Sequence, residues 1–98
     1  MNKKRVYEIV KKIPEGRVTT YKAIAKAIGK PNASRAIGKI LKDNPNPIVV
    51  PCHRVVKSNG MIGGYVYGKE IKQRLLECEG IVIDDGFIKN FNQIFINL

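Results

Sequence analysis

Ninety-eight residues, 44% of them hydrophobic, suffice for one small domain with a modest core and leave no room for a second. No apolar run approaches the roughly 20 residues of a membrane span, and no apolar signal segment follows the basic start, so a soluble, cytoplasmic protein is expected. The formal net charge of +10 is unevenly placed: residues 1–42 carry twelve Lys/Arg against two Glu, whereas residues 43–98 carry six of each sign. An excess confined to one part of the chain points to a polyanionic partner, most simply nucleic acid. Two cysteines are too few for a disulfide framework, and a single histidine without any Cys-x-x-Cys pair argues against structural zinc. Neither metal nor cofactor is expected.

Helical spacing of Val6, Ile9, Val10 and Ile13 predicts a first helix over 4–13, ended by the turn Pro14-Glu15-Gly16-Arg17. A second is expected from Tyr21 to Ile28, capped by Thr20 or Thr19 and stopped at Gly29. After Lys30-Pro31-Asn32, a third should run from about Ala33 to Lys42. Asn32 or Ser34 is available to cap it, and Ala36, Ile37, Ile40 and Leu41 should face inward. Two short helices joined by a turn suggest a helix-turn-helix over about 20–42, with Lys30, Arg35, Lys39 and Lys42 toward phosphates.

The most informative stretch is the turn at 44–56. Asn44-Pro45-Asn46-Pro47 precedes the apolar run Ile48-Val49-Val50, and Pro51-Cys52-His53-Arg54-Val55-Val56 follows. Prolines at 45, 47 and 51 fix φ and remove backbone donors, so this segment cannot be a helix interior; it should present Cys52 rigidly from an apolar floor. A thiol beside an imidazole is the start of a nucleophile, although adjacent side chains diverge and a bridging water joins them more easily than a direct hydrogen bond. Cys52 could equally be a small buried hydrophobe, as free cysteines commonly are.

Beyond the turn, Ser58-Asn59-Gly60 between Val55-Val56-Lys57 and Met61-Ile62 predicts a tight hairpin. The loop from Gly63 to Gly68 lacks the strand–turn–helix setting of a dinucleotide site. A fourth helix is expected from Lys69 to Glu79, with Ile71, Leu75, Leu76 and Cys78 on its apolar side, Cys78 as a buried core thiol and Gly80 as its stop. Ile81-Val82-Ile83, Asp84-Asp85-Gly86 and Phe87-Ile88 read as a second hairpin. The apolar tail from Asn90 to Ile96 should pack back on the core. The fold class is therefore mainly α: a single domain over 1–98, winged-helix-like, with a helix-turn-helix, short β-hairpins and a C-terminal hairpin and tail over 81–98.

From about Val6 to Gly80 the chain resembles the O6-alkylguanine-DNA alkyltransferases, specifically their C-terminal active domain. The resemblance rests on Thr20-Tyr21, Ser34-Arg35-Ala36-Ile37-Gly38, Asn44-Pro45-x-Pro47-Ile48-x-x-Pro51-Cys52-His53-Arg54-Val55, Gly64-Tyr65 and Lys72-x-x-Leu75-Leu76-x-x-Glu79-Gly80. It implies irreversible, stoichiometric transfer of an alkyl group from O6-alkylguanine, flipped out of duplex DNA, onto Cys52. It also implies that His53 acts through a water with Glu79 behind it, that Tyr21 supplies a hydrogen bond or proton to a ring nitrogen of the flipped guanine, and that Asn44 braces the turn. Tyr65, Val55, Gly64, Val66 and Tyr67 would bound the base pocket. Arg35 would enter the duplex from the minor groove, with Thr20, Ser34, Lys39, Lys30 and Ala36 also against DNA; Arg54 and Lys72 would be mainly structural or electrostatic. The family's usual N-terminal domain has no counterpart in the match, and a monomer is expected. Tyr67 stands where some members have glycine, so its ring should narrow the pocket and favour methyl over benzyl adducts. The resemblance assigns no role to the tail beyond Gly80. Two other readings compete: a non-catalytic binder of alkylated DNA, like the short alkyltransferase-like proteins that usually carry tryptophan at the cysteine position, and a cysteine hydrolase, for which no oxyanion hole is evident.

Overall fold

A computed structural model describes residues 2–98. Helix α1 spans Lys3–Val10, one turn shorter than its apolar spacing predicts; Asn2 caps it by accepting the Arg5 N–H at 3.3 Å, and Ile13 still reaches the core from the turn beyond. Strand β1 (Thr19–Thr20) leads directly into α2 (Tyr21–Ala27), and α3 (Ser34–Lys42) packs against α2 to complete the helix-turn-helix. Thr20 is the α2 cap, its hydroxyl accepting the Ala23 N–H at 3.0 Å. α3 has no side-chain cap at all, contrary to the expectation for Asn32 or Ser34. Ile37, Ile40 and Leu41 face inward as their spacing requires, but Ala36 is exposed beside Arg35.

A short strand pairing joins the two halves of the chain. The reactive turn makes a single 3₁₀ turn, Cys52–Arg54, and continues into β2 (Val55–Val56), which pairs in parallel with β1: Thr19 opposite Val55, Thr20 opposite Val56. The expected hairpin after β2 therefore forms only at its turn, where the Lys57 N–H donates to the Met61 carbonyl at 2.9 Å. Successive strand residues point to opposite faces, so Val55 enters one apolar cluster with Val6, Val10, Ile24, Ile37 and Leu41, while Val56 enters a second with Val18, Ile62, Leu76, Ile81 and Ile88. Both clusters thus close on the segment that carries the thiol.

Helix α4 (Lys69–Cys78) follows the glycine-aromatic loop and ends at Glu79, with Gly80 in the left-handed region at φ +89°. Its buried face differs from the expected one: Leu76 and Lys72 are fully buried, whereas Ile71 is 42% exposed and Cys78 is an exposed thiol. The second hairpin, β3 (Ile83–Asp84) and β4 (Phe87–Ile88), turns on Asp85-Gly86 with φ of 50° and 81°, the two positive values a two-residue type I′ turn requires. The tail forms α5 (Phe91–Ile94) and then lies beside Val18; the Ile96 N–H donates to the Val18 carbonyl at 2.9 Å and Ile96 O accepts from the Thr19 hydroxyl at 2.9 Å. Among the described residues no helix is long and apolar enough to cross a membrane.

Thr20 is 4% exposed and its hydroxyl is committed to the cap, so the side chain cannot face a partner as expected of it. Thr20→Ala should cost about 1 kcal/mol of stability in urea unfolding and leave the salt dependence of any nucleic-acid binding unchanged; a flatter salt slope would mean that the hydroxyl makes an external contact.

Candidate active site

Cys52 is the residue on which the local geometry converges. It is 4% exposed, yet its side chain lines a cavity of about 420 Å³ whose wall also includes Tyr21, Leu41, Gly64, Tyr65 and Val66, with Arg35 and Lys39 among its basic residues. The rigid frame predicted from the prolines is present, but its floor is not apolar throughout. Only Val50 of the run 48–50 is buried, and Ile48 and Val49 are 63% and 70% exposed. Asn44 holds the turn instead. Its amide donates to the Val50 carbonyl at 3.0 Å and to Cys52 Sγ at 3.3 Å, while its own oxygen accepts the Asn46 N–H at 3.0 Å.

The thiol is surrounded by opposing influences. Burial pushes its pKa up; the Asn44 hydrogen bond and the charge of Lys72 act in the other direction without overcoming it. Burial therefore favours the thiol form of Cys52. His53, the next residue, is buried and does not line the cavity. Its Nε2 lies 2.7 Å from Glu79 Oε2, and Nδ1 is buried with no hydrogen-bond partner among the described residues. Burial holds the imidazole below its ordinary pKa despite the Glu79 hydrogen bond, so at neutral pH the ring is uncharged and can accept a proton. With the carboxylate at Nε2, the proton of the neutral ring belongs on that nitrogen and the free lone pair on Nδ1.

Glu79 is itself fixed. Arg54 grips it in fork geometry, Nε to Oε1 at 2.9 Å and one terminal nitrogen to Oε2 at 2.8 Å, and its other terminal nitrogen donates to the Ile13 carbonyl at 2.8 Å. Burial alone would raise the carboxyl pKa, but the hydrogen bonds from Arg54 and His53 outweigh it and hold the group below the usual carboxylate range. Arg54 is thus the structural partner it was expected to be.

On the other side of the cavity, the Lys72 ammonium lies beneath the wall and donates to Val55 O at 2.6 Å, Gly64 O at 3.0 Å and the Tyr21 hydroxyl at 3.4 Å. Burial brings its pKa down to about 7. Tyr21 is pushed up to about 12, first by burial and then by Cys52, so its phenol stays protonated. Because Lys72 donates to this oxygen, the phenolic hydrogen is left to point elsewhere. Gly38 faces the Tyr21 ring, and Gly63, at φ +76°, lets the backbone pass where a Cβ would lie 3.5 Å from the Tyr21 hydroxyl.

Residues 1–81 match the family described as 6-O-methylguanine DNA methyltransferase, DNA binding domain. The chain belongs to that family. A methylated-DNA–protein-cysteine methyltransferase from Methanosarcina acetivorans is 51% identical over 77 residues, which are 79% of this chain and 49% of that protein. Among solved structures, Mycobacterium tuberculosis OGT in complex with DNA is 43% identical with a TM-score of 0.76, over 79% of this chain and 48% of that one. S. pombe Atl1, in complex with damaged DNA containing O6-carboxymethylguanine, is 31% identical with a TM-score of 0.86, over 98% of this chain and 94% of that one. The chain spans about half the length of the curated relatives it matches.

In this methyltransferase-family domain, Asn44 contacts Cys52, Tyr21 shares the cavity wall with it, and His53, the next residue, contacts Glu79. Tyr65, Gly64 and Val66 line the cavity, but Val55 and Tyr67 do not. Val55 is fully buried and offers its carbonyl to Lys72; Tyr67 stands 59% exposed, edge-on to Tyr65 at 5.8 Å. Its ring does not narrow the cavity, which removes the basis for preferring methyl over benzyl groups. Arg35 and Lys39 edge the cavity, Ser34 lines the depression next to it, and Lys30 and Ala36 are exposed on the turn and on α3. Sequence reasoning underrated Lys72, placed Lys42 only toward phosphates, and gave no site role to Gly38 or Lys57. For Lys72 a signal existed, since positions 72, 75 and 76 share one helical face.

Glu79 contributes stability through its lowered pKa. That stability is present above the unfolded carboxyl value and lost as pH falls through the folded one. The urea midpoint of the wild type should therefore fall more steeply than that of Glu79→Gln between roughly pH 5 and pH 3. Parallel curves would mean the carboxylate is not held by Arg54 and His53.

Proposed function

We propose that this domain removes the alkyl group from O6-alkylguanine in duplex DNA and keeps it, once, on Cys52. The observation that carries the reading is a buried sulfur on the wall of a cavity of about 420 Å³, backed by the Asn44, His53 and Glu79 contacts. A base must leave the stack to reach such a sulfur. Arg35 and Lys39 at the cavity, with further lysines on the helix-turn-helix, supply the attraction to the backbone; in keeping with the family resemblance, Arg35 enters from the minor-groove side and occupies the space the base vacates.

In the step itself, Sγ attacks the alkyl carbon, an S–C bond forms, and the C–O6 bond breaks with its electron pair passing to the guanine. The thiol proton moves through one bridging water to His53 Nδ1, whose basicity the Glu79 carboxylate supports. Tyr21, still a phenol, gives its proton to a ring nitrogen of the departing base, and solvent later neutralises both side chains. The thioether has no route back to a thiol, so each molecule acts once.

A second reading is favoured by one observation: Atl1, solved in complex with damaged DNA, aligns over nearly the whole of both chains. A domain of this extent could bind the lesion without reacting. A cysteine at position 52 on the cavity wall, followed by a His53 paired with Glu79, favours transfer. Intact-protein mass spectrometry after mixing with O6-methylguanine duplex should give one added methyl per chain, located on Cys52 and absent in Cys52→Ala. Binding without any mass change would establish the second reading. Arg35→Ala should slow transfer from duplex at least about tenfold more than transfer from the free base; equal losses on both substrates would place Arg35 in the fold instead.

A further inference from the structure

Three depressions on the surface run into one another through shared walls. Tyr21 and Lys57 belong both to the Cys52 cavity and to a depression of about 330 Å³ that includes Lys22 and Ser34. Ser58 and Asn59 belong both to that depression and to a third, of about 560 Å³, whose far wall is Lys89 to Gln93. Resting on the reading that Cys52 acts on duplex DNA, we propose that the strand carrying the damaged nucleotide continues along this path and that the C-terminal segment Lys89–Gln93 binds its sugar-phosphate backbone.

Charge supports the path. None of the three depressions is lined by Asp or Glu, although the chain holds eight, whereas two depressions beside α1 both include Glu8. Each depression carries at least one lysine, Lys57, Lys22 and Lys89 in turn. The chemistry of the far wall suits phosphate and sugar oxygens. Lys89 brings an exposed ammonium, and the amide side chains of Asn90, Asn92 and Gln93 make no hydrogen bond within the protein among the described residues. Such neutral amides beside one cation position a backbone without reading a base.

The wall is also built to stay in place. Phe91 lies under Gly60, whose Cβ would meet its ring at 3.9 Å, and the Ile88 N–H donates to the Gly60 carbonyl at 2.9 Å. Beyond it, the Val18 and Ile96 backbones bond at 2.9 Å. The tail is thus seated on the turn that leaves the active site, and a strand leaving the cavity past Ser58 and Asn59 meets it next.

The test is equilibrium binding of a lesion-bearing duplex in a Cys52→Ser background, comparing Lys89→Glu with Lys11→Glu. Both lysines are exposed and the net charge change is the same, but Lys11 lies beside Glu8, off the path. Lys89→Glu should weaken binding about tenfold more than Lys11→Glu at ~0.1 M salt and flatten the slope of log affinity against log salt by about one. Transfer from free O6-benzylguanine to Cys52, measured with Lys89→Glu in the reactive chain, should match the wild type and so report an intact fold. Equal weakening by the two reversals overturns the inference while leaving alkyl transfer standing. Failure of the wild-type chain to form any adduct with duplex overturns the reading beneath it, and the inference with it.

Discussion

The carboxylate of Glu79 is the contact on which the site depends. It is nearly buried, it belongs to the residue that ends α4, and it binds at once the Arg54 guanidinium and the His53 ring. Removing a carboxylate from such a setting would leave a cation and an imidazole facing each other in low dielectric, which is far costlier than the loss of an exposed ion pair. Through Arg54 the same group is tied to the Ile13 carbonyl at the end of the first helical segment, and its Oε1 also accepts the Gly16 N–H at 3.4 Å. Three stretches distant in sequence are therefore fastened at one point. The direct consequence is chemical: a histidine with Nε2 facing a carboxylate keeps Nδ1 as its basic atom.

Burial does the remaining electrostatic work. It raises the pKa of Cys52 and Tyr21, and lowers that of His53 and Lys72, so these four groups are driven toward their neutral forms. A neutral thiol beside a neutral base and a neutral phenol can pass protons without separating charge in the resting site. Lys72 is the exception in degree. Its three hydrogen bonds suit an ammonium, yet burial brings its pKa to about 7, so near neutrality it is poised between charged and uncharged forms. It also holds together the carbonyls of Val55 and Gly64, one on either side of the cavity wall. Lysine here fastens β2 to the glycine-aromatic loop, which has no strand partner of its own.

Much of this was legible in the chain because the residues concerned obey local rules. Prolines at 45, 47 and 51 exclude a helix, Thr20 precedes a helical pattern, and Asp85-Gly86 demands a tight turn; each element formed where those rules place it. The resemblance implies the Cys52–His53–Glu79 grouping, of which the His53–Glu79 contact is seen. What was hidden is non-local. Nothing in Val55-Val56 announces a parallel partner 36 residues earlier rather than a hairpin partner just beyond. The buried face of α4 was misjudged because an apolar Ile71 and a thiol at Cys78 seemed better core candidates than a lysine; only the two carbonyls that receive Lys72 reverse that order. Ile48 and Val49 show the converse, apolar residues left at the surface by a turn whose backbone is held through Asn44. Tyr67 was placed by analogy of position, and its ring lies against Tyr65 outside the cavity.

Proton transfer from Cys52 depends on the tautomer of one ring, and long-range proton–nitrogen correlation NMR reads it directly. At neutral pH the His53 imidazole should be uncharged, with its proton on Nε2 and an unprotonated Nδ1. A spectrum showing the proton on Nδ1, or an imidazolium with both nitrogens protonated, would contradict it, because the nitrogen assigned to receive the Cys52 proton would already hold one.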